Sequence, residues 1–193
     1  MKIQQDQQYE VYTYNILWDT AEKCFEVSQL HKDDEKYHYL TAMLMIYFAF
    51  EALLNNMINT LDPLAWKNER QLFSGPPYQG TLGKYKYLIE KLSMASPDHA
   101  SRPYQTLKFL QQVRDRAVHA KPERSIRKIK VAPGQFPESY TSWLGKHSTL
   151  SHVKKCFEGI RTISTSLYKV ARKTHRNQFH SLGDYGYSVT SHK

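Results

Sequence analysis

A chain of 193 residues, 40% hydrophobic and 13% aromatic, is long enough to bury one sizeable core and too apolar for wholesale disorder. Its 27 Lys and Arg against 18 Asp and Glu leave a formal net charge of +9, a balance that suits polyanions such as nucleic acid as well as simple solubility. Cys24 and Cys156 have neither metal nor redox spacing, which predicts two reduced core thiols of an intracellular protein, with a single disulfide as the less favoured alternative.

The charge is uneven. Residues 1–60 hold 4 Lys/Arg against 9 Asp/Glu, whereas residues 101–130 hold 9 against 2. The polar start, Met1-Lys2-Ile3-Gln4-Gln5-Asp6, has no apolar core for export. The longest apolar run, 42–50, is cut by Glu51 and is too short to span a bilayer. The sequence therefore predicts a soluble, cytoplasmic protein without a membrane partner.

Helical periodicity dominates. A first helix is predicted over 9–31, with Tyr9, Ile16, Leu17 or Ala21, Phe25 and Val27 or Leu30 as a loose apolar stripe. Asp33 and Asp34 offer caps for a second helix reaching Leu61, in which Met43, Tyr47, Phe50, Leu54, Met57 and Leu61 alternate spacings of four and three as a bundle seam does. Asp62-Pro63 ends it, and Gly75-Pro76-Pro77 with Gly80 makes 62–80 an irregular loop, pinned by Trp66, Leu72 and Phe73.

A third helix is predicted over 81–94 through Leu82, Tyr85, Leu88, Ile89 and Leu92. Ser101 caps a fourth, with Pro103 in its first turn and Tyr104, Leu107, Leu110, Val113, Ala117 and Val118 on its apolar side. Between Arg124 and Gly145 hydrophobes alternate with basic residues around Pro133-Gly134, which predicts a short extended arm or hairpin within a basic stretch at 121–146. Ser148 or Thr149 starts a last helix running to about Lys173 through Leu150, Val153, Phe157, Ile160, Ile163, Leu167 and Val170. The expected fold is all-α: an up-and-down antiparallel bundle of about five helices forming one domain over 1–175, with a flexible tail over 176–193.

One stretch carries chemistry, Arg114-Asp115-Arg116-Ala117-Val118-His119, at a helix end that Pro122 cannot continue. Arg114 falls in the arc that Leu107, Leu110, Ala117 and Val118 fill with hydrophobes, and an unpaired buried guanidinium is expensive. Glu51, which interrupts the apolar second helix, is its candidate partner, and a structural ion pair would satisfy both residues. Together the residues offer more: Arg114 a planar phosphate clamp, His119 a proton-transfer group near neutrality, and Asp115 a carboxylate to orient the imidazole. Those roles suffice to let a ribose 2′-hydroxyl attack its own phosphate. Residues five apart on a regular helix, however, point roughly 140° apart. Either the helix loosens at His119 or a symmetric dimer shares the site.

The Arg-Asp-x-x-Val-His pattern of residues 114–119 resembles the signature of HEPN domains, the higher eukaryotes and prokaryotes nucleotide-binding helical bundles, in which an arginine precedes a histidine by four to six residues. Phe48-Ala49-Phe50-Glu51-Ala52-Leu53-Leu54-Asn55 is similar to their acidic second helix, and Thr81-Leu82-Gly83-Lys84-Tyr85 to the start of their third. The resemblance implies a metal-independent endoribonuclease, usually dimeric, of the toxin–antitoxin, antiviral-defence or RNA-processing kind, with RNA as substrate and an antitoxin or regulatory protein as a further partner. It assigns Arg114, His119, Asp115 and Glu51 to the active site. Ala120-Lys121-Pro122 departs from the members that carry a tyrosine shortly after the histidine. Many members are binding or dimerisation modules without activity, and a helical interaction scaffold remains a third reading. Arg116, Lys121, Arg124, Arg127, Lys128 and Lys130 are candidates for contact with the RNA backbone.

No phosphate-cradling glycine loop, Gly-x-Ser-x-Gly or His-Glu-x-x-His is present. His31 with His38, and His147 with His152, match no familiar zinc spacing. No cofactor and no metal are predicted.

Overall fold

A computed structural model describes residues 12–123 and 141–175, which form an all-α helical bundle. The elements are α1 (Thr13–Leu30), α2 (Glu35–Leu61), α3 (Pro63–Lys67), α4 (Glu69–Leu72), α5 (Gly80–Lys91), α6 (Arg102–Val118), α7 (Trp143–His147) and α8 (Leu150–Thr174). Of the extended arm expected between Arg124 and Gly145, residues 124–140 lie outside the described residues, as does the tail over 176–193. Residues 143–145 are not extended but form the start of helix α7, with the Ser142 hydroxyl capping it at the Gly145 N–H.

The second helix is the axis of the molecule. All six residues of its predicted seam are buried, and so are Tyr39, Ala42, Ile46, Ala49, Leu53 and Ile58. Burial on so many sides follows from its neighbours: α1, α3, α5, α6 and α8 all pack on α2. Among the described residues it alone is long and apolar enough to cross a membrane, yet more than half of its most apolar stretch is buried by these helices.

The first helix keeps only part of its expected face. Ala21 is buried and Leu17 and Phe25 pack on the core, but Ile16 and Leu30 are exposed and Tyr14, Trp18 and Ser28 are buried beside them. Amphipathic rings can fill a core seam while their polar tips find partners; the Trp18 indole N–H donates to Glu22 at 2.8 Å. A count of aliphatic residues undervalues such a stripe.

The connection over 62–80 is more ordered than expected. It holds two short helices, and Asp62 is the reason for the first. Its carboxylate accepts the Ala65 N–H (3.0 Å), the Tyr87 hydroxyl (2.6 Å) and the Lys91 ammonium (2.7 Å), joining the end of α2 to α3 and α5. Lys91, then Tyr87, hold this carboxyl well below the usual range. The predicted pins are in place: Phe73 is buried and Trp66 and Leu72 pack on the core. At Gly83 a Cβ would fall 1.8 Å from the Tyr78 carbonyl carbon, so only glycine lets this loop lie against α5.

The sixth and eighth helices pack closely on each other. A Cβ at Gly159 would come within 2.9 Å of three Thr106 side-chain atoms, a proximity that sets the approach of α8 to α6. Thr149 caps α8 by accepting the His152 N–H, as expected. Ser101 stands at the N-cap position of α6 without a capping bond, its hydroxyl donating instead to the Asp98 carbonyl. Both cysteines are free, and burial pushes the Cys156 thiol up to about 12.

Candidate functional site

The end of α6 carries two groups of functional side chains on different sides. On the side facing the core, Arg114 pairs with Asp115, Nη1 to Oδ1 at 3.0 Å, and the arginine side chain keeps one third of its surface exposed. Its Nε is buried without a hydrogen-bond partner, as is Oε1 of Gln111 one turn earlier. Arg114, Asp115 and Glu51 all act on the Tyr47 hydroxyl, which places both sides of the expected pair around one tyrosine of α2. Burial pushes that hydroxyl up, and it shares a 2.7 Å hydrogen bond with the Thr81 hydroxyl at the start of α5.

The expected Glu51–Arg114 pair does not form. The ion-pair partner of Glu51 is Lys84 of α5, at 3.9 Å. Lys84 is only 5% exposed. Its ammonium lies 2.7 Å from Glu69, 2.8 Å from the Asn55 side-chain carbonyl and 5.7 Å from the Phe73 ring centre. A buried ammonium must gather anions, whereas Arg114 has a carboxylate in the adjacent residue. Lys84 was the cation missed in the sequence. One signal existed, since it occupies an inward position of α5 between Thr81 and Leu88, as Arg114 does on α6.

His119 is the C-cap of α6, where the backbone leaves the helix (φ −109°, ψ 39°) and its N–H still bonds the Asp115 carbonyl at 2.9 Å. Its imidazole is exposed. The Asp115 carboxylate, expected to orient that imidazole, is instead bonded to Arg114. Helical geometry puts Arg116, three residues back, on the same side as His119, with Arg114 well around the helix. No hydrogen bond links Arg114 and His119 among the described residues.

On this outer side Arg116 is held by residues far away in the chain. Its guanidinium lies 4.5 Å over the Trp143 ring and 3.8 Å from the Glu123 carboxylate. The same carboxylate accepts the Trp143 backbone N–H at 2.9 Å. Trp143 stacks on His147 (4.1 Å, 26°), and Phe109 stacks on His152 (5.1 Å, 23°), with 5.2 Å between the two imidazole centres. The histidines dismissed for zinc spacing thus meet in an aromatic tier. Nδ1 of His147 donates to the Trp143 carbonyl, and Nδ1 of His152 meets the Thr149 hydroxyl. Burial, then His147 and Lys155, lower the pKa of His152. Of the other predicted cations, Lys121 is exposed, and Arg124, Arg127, Lys128 and Lys130 lie outside the described residues.

A groove of about 940 Å³ lies elsewhere, between α1 and α8, lined by Phe25 and Phe157 and edged by Glu22, Glu26, Lys154 and Arg161. Arg161 crosses it to Glu22 at 3.2 Å.

Comparison with protein-family models, with curated proteins and with solved structures finds no match to this chain.

Proposed function

We propose that this protein is an endoribonuclease of the HEPN kind, with Arg114 and His119 as its active pair. The observation that carries the reading is the composition of one helix end. A guanidinium clamped by Asp115, partly exposed and with an unpartnered Nε, stands within a turn and a half of an exposed imidazole, where the basic part of the chain begins. Arg114 neutralises the phosphate as charge builds, and His119 moves the 2′-hydroxyl proton. The pair works without a metal ion, following the chemistry that the resemblance implies. Because the two side chains point apart on one helix, His119 of the partner subunit completes the site beside Arg114 in a symmetric dimer. A cytoplasmic toxin or defence effector, held in check by an antitoxin or regulatory protein, is the setting this chemistry suits.

A second reading has one observation in its favour. The Asp115 carboxylate serves Arg114 and leaves His119 exposed without it, as suits a module that binds nucleotide or RNA and cuts nothing. Incubating the pure protein with an RNA panel in chelator separates the two. The ribonuclease reading predicts fragments with cyclic-phosphate ends, and their loss in His119→Ala at an unchanged melting temperature. Binding without cleavage selects the module, and unchanged cleavage by His119→Ala removes the histidine from the mechanism.

A further inference from the structure

The outer side of α6 is built more elaborately than a structural staple requires. Arg116 could swing freely on a helix end, but three contacts hold its guanidinium in place. Trp143 lies beneath it at 4.5 Å, the Glu123 carboxylate grips it at 3.8 Å, and the same carboxylate fixes the Trp143 backbone at 2.9 Å. His147 stacks on the same indole at 4.1 Å. Arg116 thus stands over an indole that is itself stacked on an imidazole, and its side chain stays 49% exposed. His119 follows Arg116 by about one turn at the end of α6.

A planar cation already immobilised over an aromatic ring suits a flat, electron-rich partner, since ordering it has been done in advance. Nucleobases are such partners, and they stack on guanidinium planes only when they are not paired in a duplex. We infer that Arg116 is the stacking floor for a base of single-stranded RNA beside His119. The inference rests on the ribonuclease reading for its choice of ligand and deepens it. The substrate is single-stranded where it is gripped, and the grip reads a base face in addition to the backbone charge. A phosphate contact alone would need no Trp143 under the arginine.

The test uses two labelled oligomers of equal charge, a single-stranded RNA 8-mer and its abasic counterpart, titrated against the His119→Ala protein by fluorescence anisotropy. Arg116→Lys, added to that background, keeps the charge and removes the plane. The expected result is about tenfold weaker binding of the base-bearing oligomer, with the abasic oligomer and the salt slope unchanged. Trp143→Leu should reproduce the loss without further effect in the Arg116→Lys background. Equal weakening of both oligomers, no weakening, or preference for a duplex overturns the stacking floor. So does an Arg116-dependent protein partner in the absence of any RNA binding. Cleavage by the wild-type protein is scored separately. No cleavage with the base-dependent loss intact removes the ribonuclease reading alone, and cleavage without that loss removes the stacking floor alone.

Discussion

The buried face of α5 and the outer side of α6 solve the same problem, placing a cation, in opposite ways. Inside, Lys84 is buried and its charge is answered by Glu69, Glu51 and the Asn55 carbonyl, leaving it nothing to offer a ligand. Outside, Arg116 shares a single carboxylate with a backbone N–H and stands on a ring, so its charge and its plane both remain available. Arg114 lies between these extremes, half-buried with one carboxylate and one unpartnered nitrogen. Saturated cations hold a fold together, and undersaturated ones are where a polyanion can enter.

The contrast breaks first at Lys84. Replacing it with Ala leaves two carboxylates facing each other without their cation. Because Glu51 and Glu69 are themselves 31% and 30% exposed, the cost should fall to about 2–4 kcal/mol, short of the full penalty for a sealed pair. That is a drop of roughly 5–15 °C in Tm, measurable by thermal melt, and a Tm within 2 °C of wild type, on the order of a 1 kcal/mol change or less, would show that the cluster is not what holds α5 to α2. The Arg116→Lys protein should melt close to wild type while losing the base-dependent part of its RNA affinity. The inner cluster thus controls stability and the outer tier binding.

A smaller effect separates the two sides by pH. The pKa of His152 is lowered in the fold, so its protonated form is disfavoured there relative to the unfolded chain, whose imidazole titrates near 6.5. Stability is intact above that value and declines as pH falls below it, until the folded imidazole is itself protonated. Asp62 contributes in the same direction but lower, from about 3.8 downward. A melting series from pH 7.5 to pH 5 should show a shallow decline that His152→Phe flattens. An identical slope in that variant would assign the decline to other groups.

Much of the fold was readable because the helices that matter carry unambiguous seams. The six seam positions of α2 and the Val153, Ile160, Ile163 and Leu167 stripe of α8 are buried as their spacing predicts. The stripe of α1 is only half legible, because beside Ala21 its core positions are Tyr14, Trp18 and Ser28, residues whose polar atoms hide their role in packing. The two short helices after Asp62 have no signature in the sequence because they are only 5 and 4 residues long, below any usable period.

The site was legible in part and for a physical reason. Anomalies within one helix, such as Arg114 in an apolar arc or Glu51 in an apolar run, can be found by periodicity. Pairings between helices cannot, so periodicity points Glu51 at Arg114 and gives no sign of its ion-pair partner, Lys84. Arg116 and Trp143 are too far apart in sequence for any local pattern to join them, and only the fold shows them stacked.

The claim that Arg114 and His119 act across a dimer is tested most directly by mixing two inactive proteins. Arg114→Ala and His119→Ala, unfolded together, refolded and assayed on one RNA in chelator, should recover about one quarter of wild-type cleavage, because random pairing leaves that share of sites intact. Cleavage no greater than that of either variant alone, beside an active and similarly refolded wild-type protein, would contradict the shared site, and an RNA left whole by the wild-type protein would contradict the ribonuclease itself.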